Sequence, residues 1–116
     1  MIVCAIDDLL FSIKIKEAAK QLGVPLYFER SGERIVDTVR EKQPSLVIFD
    51  LNSARLAPLK AIAAIKRDPA LAAVKTLGYV SHVDSPTIAA AREAGVDQVM
   101  ARSAFADRLG EILTTA

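Results

Sequence analysis

Three aspartates stand directly after apolar runs, where buried strands would end. Asp7 and Asp8 follow residues 1–6, and Asp50 follows residues 46–49. Carboxylates that share one edge of a sheet repel one another, so they need a cation or raised pKa values to coexist. Oxygen ligands without His or Cys nearby favour Mg²⁺, which takes one or two carboxylates together with a phosphate. The three residues therefore predict a functional acidic pocket.

Each aspartate also has a purely structural interpretation. Asp8 immediately precedes a predicted helix and could serve only as its N-cap. Asp50 could cap a turn through its own side chain. Capping alone does not explain why three mutually repelling carboxylates would collect at one edge, so the pattern favours the pocket and keeps the caps as the alternative.

The elements that would position these residues alternate along the whole chain. Short apolar segments predict five strands, at residues 1–6, 25–29, 45–49, 73–80 and 96–101. Apolar residues at helical spacing predict five helices, at residues 9–23, 33–43, 58–68, 87–95 and 104–114. We expect Gly23 to end the first helix, Pro58 to lie in the first turn of the third, and Ser85 and Ser103 to cap the last two.

This alternation predicts an α/β fold with a parallel sheet covered by helices on both faces. The expected strand order is 2-1-3-4-5, a doubly wound, flavodoxin-like arrangement. Helices 1 and 5 would cover one face and helices 2, 3 and 4 the other. Ligands of such folds bind beyond the carboxyl ends of the strands, at the switch point between strands 1 and 3. The three aspartates lie at those two strand ends.

Composition limits the classes of protein to which the chain can belong. Its 116 residues, 52% of them hydrophobic, predict one domain over residues 1–116. The single cysteine, Cys4, lies in an apolar run, which predicts a buried thiol and fits a reducing compartment. A net charge of +1 argues against nucleic-acid or membrane-surface partners. No apolar run approaches the ~20 residues of a membrane span, and no basic segment marks a signal peptide. We expect a cytoplasmic protein.

Four short motifs carry a family resemblance: "IDD" at 6–8, "FDLN" at 49–52, "AGVDQV" at 94–99 and the basic Arg102 after strand 5. With them the chain resembles the response-regulator receiver domain of two-component (phosphorelay) signalling. The resemblance implies that Asp50 is the phosphoacceptor and that Asp7, Asp8, Asp50 and the backbone carbonyl of Asn52 hold Mg²⁺. It also implies that Arg102 is the charge partner of the phosphoryl group.

The same resemblance implies partners. A histidine kinase or phosphotransfer protein would donate the phosphoryl group, and a downstream protein would contact helix 4, strand 5 and helix 5. The role would be signalling through protein contacts, and the chain would not be an enzyme.

Several positions depart from the receiver pattern, and three of them bear on how a phosphoryl group would be held. Val80, followed by Ser81, stands where receivers carry a switch Thr or Ser, and it has no hydroxyl to donate to a phosphoryl oxygen. Arg102 replaces a lysine, and we expect it to pair with Asp50 and lower the pKa of that carboxyl. Ser103 replaces a proline, so a trans peptide bond is expected there.

These departures leave alternatives open. One is a phosphoryl-accepting receiver with weak Mg²⁺ binding and a reduced conformational response. Another is a phosphorylation-independent pseudo-receiver that serves as a protein-interaction module. A third, a flavodoxin-like small-molecule binder, lacks a glycine- and hydroxyl-rich phosphate loop after strand 1. His82, the only histidine, is interpreted as a solvated loop residue. Whether the domain acts alone or within a larger protein stays open.

Overall fold

The structure is a computed structural model that describes residues 1–81 and 84–116, so the interpretation of His82 lies outside the described residues. Its strands form one parallel sheet in the order β2-β1-β3-β4-β5, which confirms the predicted α/β fold. Every strand lies within the apolar segment that predicts it, apart from β3, which extends one residue further to include Asp50. The strands are β1 (Ile2–Ala5), β2 (Leu26–Phe28), β3 (Leu46–Asp50), β4 (Lys75–Val80) and β5 (Gln98–Ala101).

The helices begin and end close to the predicted residues, with one break. The expected fifth helix is divided at Arg108 into two short helices. None of the helices within the described ranges is long and apolar enough to cross a bilayer. The helices are α1 (Leu9–Leu22), α2 (Ile35–Lys42), α3 (Pro58–Arg67), α4 (Ser85–Ala94), α5 (Arg102–Asp107) and α6 (Leu109–Thr115).

The helix ends test the predicted caps. Gly23 ends α1 with a φ of 69°, a left-handed conformation that glycine adopts without a Cβ clash, and Pro58 opens α3, as expected. The prediction for Ser85 was wrong, because the side chain of Asp84 caps α4 by accepting a hydrogen bond from the Thr87 amide. The prediction for Ser103 was also wrong, because α5 already begins at Arg102.

Two apolar cores divide the helices between the faces of the sheet as expected. On one face α1, α5 and α6 pack through Ile15, Phe105 and Ile112 against the side chains of β1, β3 and β4. On the other, α2, α3 and α4 pack through residues such as Val39 and Ile62. The central strands are covered by helices on both faces, which is why β1 and residues 46–49 of β3 are apolar.

The thiol of Cys4 is buried in the first of these cores, as predicted. Burial raises its pKa to about 12. Because the thiolate is the reactive form, this cysteine is a packing residue without nucleophilic character.

A polar network fixes the amino ends of β4 and β5. The ammonium of Lys66, on α3, donates to the carbonyls of Ala72 and Val74 at 3.2 and 2.8 Å and to the Asp97 carboxylate at 2.8 Å. The same Asp97 oxygen accepts from the amide and the hydroxyl of Thr76 at 2.8 and 3.0 Å. This network lies at the end of the sheet opposite to the aspartates.

Candidate functional site

The strand register brings the carboxyl ends of β1 and β3 to the same edge. Ala5 lies beside Phe49, and Asp50 lies beside Tyr79 of β4. The chain leaves β1 two residues before Asp7, so both acids of the pair emerge next to the end of β3. Asp7 and Asp8 are close enough to Asp50 for their charges to act on it. The structure therefore brings together the three carboxylates singled out from the sequence.

Asp50 is the buried member of the cluster. It is 8% exposed, and its Oδ1 accepts a hydrogen bond from the Asn52 amide at 3.0 Å. Burial raises the pKa of the Asp50 carboxyl; the Asn52 hydrogen bond lowers it, the charges of Asp7 and Asp8 raise it, and Arg102 lowers it. The net effect is a raised pKa, so the ionised form is disfavoured by its surroundings.

Asp8 combines two roles on the rim of the pocket. Its Oδ1 accepts from the Phe11 amide at 3.0 Å and so caps α1, as the structural interpretation expected. Its Oδ2 lies 3.3 Å from Nη2 of Arg102. The expected pair between Arg102 and Asp50 was therefore wrong, and Arg102 is only a weak electrostatic neighbour of Asp50, whose pKa stays raised.

The position of Arg102 has a structural cause. Its guanidinium lies over the Phe11 ring, 4.5 Å from the ring centre. Phe11 in turn contacts Tyr79 and Phe105, which stack with ring centres 5.1 Å apart. An arginine is long and planar enough to lie on this aromatic cluster while reaching Asp8.

A second cation, Arg55, was not foreseen from the sequence. Its Nη1 lies 3.8 Å from Oδ2 of Asp7. Arg55 belongs to the short 3₁₀ turn Ala54–Leu56 after β3, which Ser53 caps by accepting from the Leu56 amide. Two aspartates of the cluster thus have an arginine partner, and Asp50 has none among the described ion pairs.

Asn52 ties the turn after β3 to the end of β4. Its side-chain oxygen accepts a hydrogen bond from the Ser81 amide at 2.6 Å, while its own amide donates to Asp50. Val80, which the sequence resemblance predicts at the switch position, is 4% exposed and packs in the core beneath α2, α3 and α4. The pocket is therefore contacted by the backbone amide of Ser81, directly after β4, which donates to Asn52, and not by a hydroxyl at Val80.

The donors at this edge have the chemistry that Mg²⁺ prefers. Carboxylate oxygens of Asp7 and Asp50 and the backbone carbonyl of Asn52 are hard oxygen ligands. Asp50, buried beside like charges, gains most from a cation. In the described part of the chain, no group of three or more His, Cys, Asp or Glu side chains is already arranged around a metal position. The donor set fits the ion, and Asp7 would have to leave Arg55 to hold it.

A groove runs beside β5 toward the rim of the pocket. It encloses about 770 Å³ and is lined by Ile88 and Arg92 of α4, Val99 and Met100 of β5, and Leu10 of α1. Leu10 is among the exposed large apolar residues of the chain, with Leu9 and Ile13 beside it. The face expected to contact a partner is therefore concave and partly apolar.

The cap and the ion pair of Asp8 can be separated. We expect Asp8→Ala to lower the free energy of unfolding by about 1 kcal/mol, because it removes the cap of α1. Asp8→Asn keeps the acceptor and loses only a partly exposed ion pair, so it should cost about 0.5 kcal/mol or less. Urea denaturation of both variants measures the difference. Equal losses would contradict the capping role.

The raised pKa of Asp50 predicts a pH-dependent effect on stability. The folded state binds this proton more tightly than the unfolded state, so the carboxyl lowers stability as pH rises through its folded pKa. We therefore expect Asp50→Asn to be more stable than wild type at neutral pH. The gain should disappear at about pH 3, where the unfolded carboxyl is also protonated.

Urea denaturation at the two pH values measures this effect. Asp107→Asn, which alters an exposed carboxylate on α5, is the matched control and should show no such gain. A gain for Asp50→Asn that persists unchanged in acid would show that the charge of Asp50 is not its source.

No protein-family model and no curated protein matches the chain. Its fold, in contrast, matches many solved structures. A response regulator from Hahella chejuensis superposes with a TM-score of 0.86 at 16% identity, over 97% of this chain and 91% of that one.

Two further structures show the same likeness. The phosphorylated cyanobacterial phytochrome response regulator RcpA has a TM-score of 0.80 at 21% identity, over 98% of this chain and 88% of that one. The Mn²⁺-bound form of the response regulator Rcp1 has a TM-score of 0.80 at 17% identity, over 99% and 95%. The chain therefore has the fold of the response-regulator receiver domain.

Proposed function

We propose that residues 1–116 form a receiver-like domain of two-component signalling that accepts a phosphoryl group on Asp50. The observation that carries the proposal is the Asp50 carboxylate, buried at the carboxyl end of β3 beside Asp7 and Asp8. Among the similar structures, one is phosphorylated and another is bound to Mn²⁺, which supports the same chemistry here. The domain would signal through contacts with other proteins and would not turn over a substrate.

The reaction would be a transfer to one carboxylate oxygen. Because Oδ1 of Asp50 accepts from the Asn52 amide, we assign the attack to Oδ2. A bond forms between Oδ2 and phosphorus while the bond from phosphorus to the donor's imidazole nitrogen breaks, and its electron pair stays on that nitrogen. The product is an acyl phosphate on Asp50.

The product would add negative charge to a site that already holds two further carboxylates. Asp7, Asp8, Asp50 and the Asn52 carbonyl would hold Mg²⁺, which when bound neutralises phosphoryl oxygens. Arg102 is the phosphate-facing cation of the proposal, and it would exchange its contact with Asp8 for the phosphoryl group. The aromatic cluster under Arg102 would keep the guanidinium at the rim during this exchange.

Two classes of protein partner follow from this proposal. A histidine kinase or phosphotransfer protein would supply the phosphoryl group. A downstream protein would dock on the α4, β5 and α5 face, where the apolar groove lies. A net charge of +1 favours protein partners over nucleic acid or an anionic membrane.

Incubation with acetyl phosphate and Mg²⁺, followed by mass spectrometry of the intact chain, tests the chemistry. We expect wild type to gain the mass of one phosphoryl group and Asp50→Asn to gain none, because the acceptor oxygen is gone. Asp107→Asn is the matched control and should gain as much as wild type. An Asp50→Asn variant that is still modified would place the acceptor elsewhere, and an unmodified wild type would refute phosphoryl acceptance.

A second function has its own supporting observation. Arg102 is engaged with Asp8 and Phe11, and Val80 offers no hydroxyl to a phosphoryl oxygen. A modification shifts a conformational equilibrium only by its different interaction with the two states. These features favour a module that binds its partner whether or not Asp50 is modified.

Amide chemical shifts with Mg²⁺ and beryllofluoride, a phosphoryl mimic, distinguish the two functions. We expect the changes in wild type to stay near Asp7, Asp50 and Asn52, because the switch hydroxyl is missing. Val80→Thr supplies that hydroxyl and should extend the changes to α4 and β5, whereas the control Val24→Thr should not. Changes that already reach α4 and β5 in wild type would contradict the interpretation of Val80.

A further inference from the structure

A second cavity lies between the loop after β2 and the start of α3. It encloses about 580 Å³. We call it the α2–α3 cavity and define it by Arg30, Val36, Arg55, Lys60, Ala61 and Ala64. It is separate from the groove beside β5, and it shares Arg55 with the acidic pocket, since that residue contacts Asp7.

The charge around this cavity is strongly biased. Arg30, Arg55 and Lys60 line it with a single carboxylate, Glu33, whereas the chain as a whole carries a net charge of only +1. Three cations gathered around one concavity attract an anion, and arginine and lysine together suit the oxygens of a phosphate group.

Two of these cations lack an acidic partner. Within the described residues, no salt bridge involves Arg30 or Lys60. Arg30 lies over the Phe28 ring, 5.2 Å from its centre, and its Nε is buried without a hydrogen-bond partner there. Arg55 differs, since it contacts Asp7.

The remaining wall is apolar and made of small side chains. Val36 on α2 faces Ala61 and Ala64 on α3 across the cavity. Small-molecule sites typically combine an apolar wall with a few converging polar groups. The cations therefore favour an anionic ligand, and the apolar wall favours one whose anionic group is attached to an apolar group.

We propose that the α2–α3 cavity binds a small phosphate monoester. Its dianionic phosphate would contact Arg30 and Lys60, and its apolar group would lie against Val36, Ala61 and Ala64. The pocket of Asp7, Asp8 and Asp50 would repel the same ligand, so the two regions differ in the charge that they accept.

Phenyl phosphate is the probe, titrated into the full chain in metal-free buffer while amide chemical shifts are recorded. We expect saturable shifts at Ser31, Gly32, Lys60 and Ala61. Inorganic phosphate, which lacks the apolar ring, and benzyl alcohol, which lacks the phosphate, should each bind more weakly than phenyl phosphate. Lys60→Glu should weaken binding about tenfold or more, because it replaces a contacting cation with a repelling carboxylate.

Lys75→Glu is the matched control, since it makes the same charge change on an exposed lysine at the far end of β4, and it should bind as wild type. Asp50→Asn should also bind phenyl phosphate as tightly as wild type does. The result is then independent of whether Asp50 accepts a phosphoryl group. Absent shifts, equal weakening by Lys75→Glu, or inorganic phosphate binding as tightly as phenyl phosphate would each overturn the proposal. Tighter binding of a phosphoserine peptide would overturn the assignment to a small molecule.

Discussion

The burial of the Asp50 carboxylate is the constraint on which the arrangement of this edge depends. A carboxylate in a mostly buried position loses hydration, and two neighbouring carboxylates increase the cost of ionising it. The nearby structure compensates only in part, through the Asn52 amide and the more distant Arg102. Positive charge close to Asp50, from a metal ion or from a rearranged arginine, would therefore stabilise the ionised carboxylate.

The two arginines at the rim divide the counter-charge between the acids that flank Asp50. Arg55 contacts Asp7 and Arg102 contacts Asp8, so each half-buried acid has an arginine partner, whereas no ion pair of the buried Asp50 is seen in the described residues. Pairs this exposed contribute little to stability in water. They are therefore easily exchanged, which is a useful property in a site whose charge changes when a ligand or a phosphoryl group arrives.

Strand order, helix faces and the meeting of the three aspartates could all be predicted, because apolar periodicity and right-handed crossovers leave few topologies. The caps at Ser85 and Ser103 could not, since the neighbouring Asp84 caps α4 and α5 begins at Arg102, two residues earlier than predicted. The partner of Arg102 depended on the Phe11 ring beneath it. Such contacts join residues far apart in sequence, and spacing alone carries no signal for them.

The network around Lys66 has a consequence for how this fold can move. Lys66 joins α3 to two carbonyls before β4 and to Asp97 before β5, and Asp97 makes three further hydrogen bonds with Thr76. These bonds hold the amino ends of β4 and β5 to α3. At the carboxyl end of β4, the segment after β3 is bonded through the Leu51 amide to the Tyr79 carbonyl and through the Asn52 side chain, which accepts from the Ser81 amide. Relative displacement of the last two strands is therefore opposed by side-chain bonds chiefly at their amino ends, remote from Asp50.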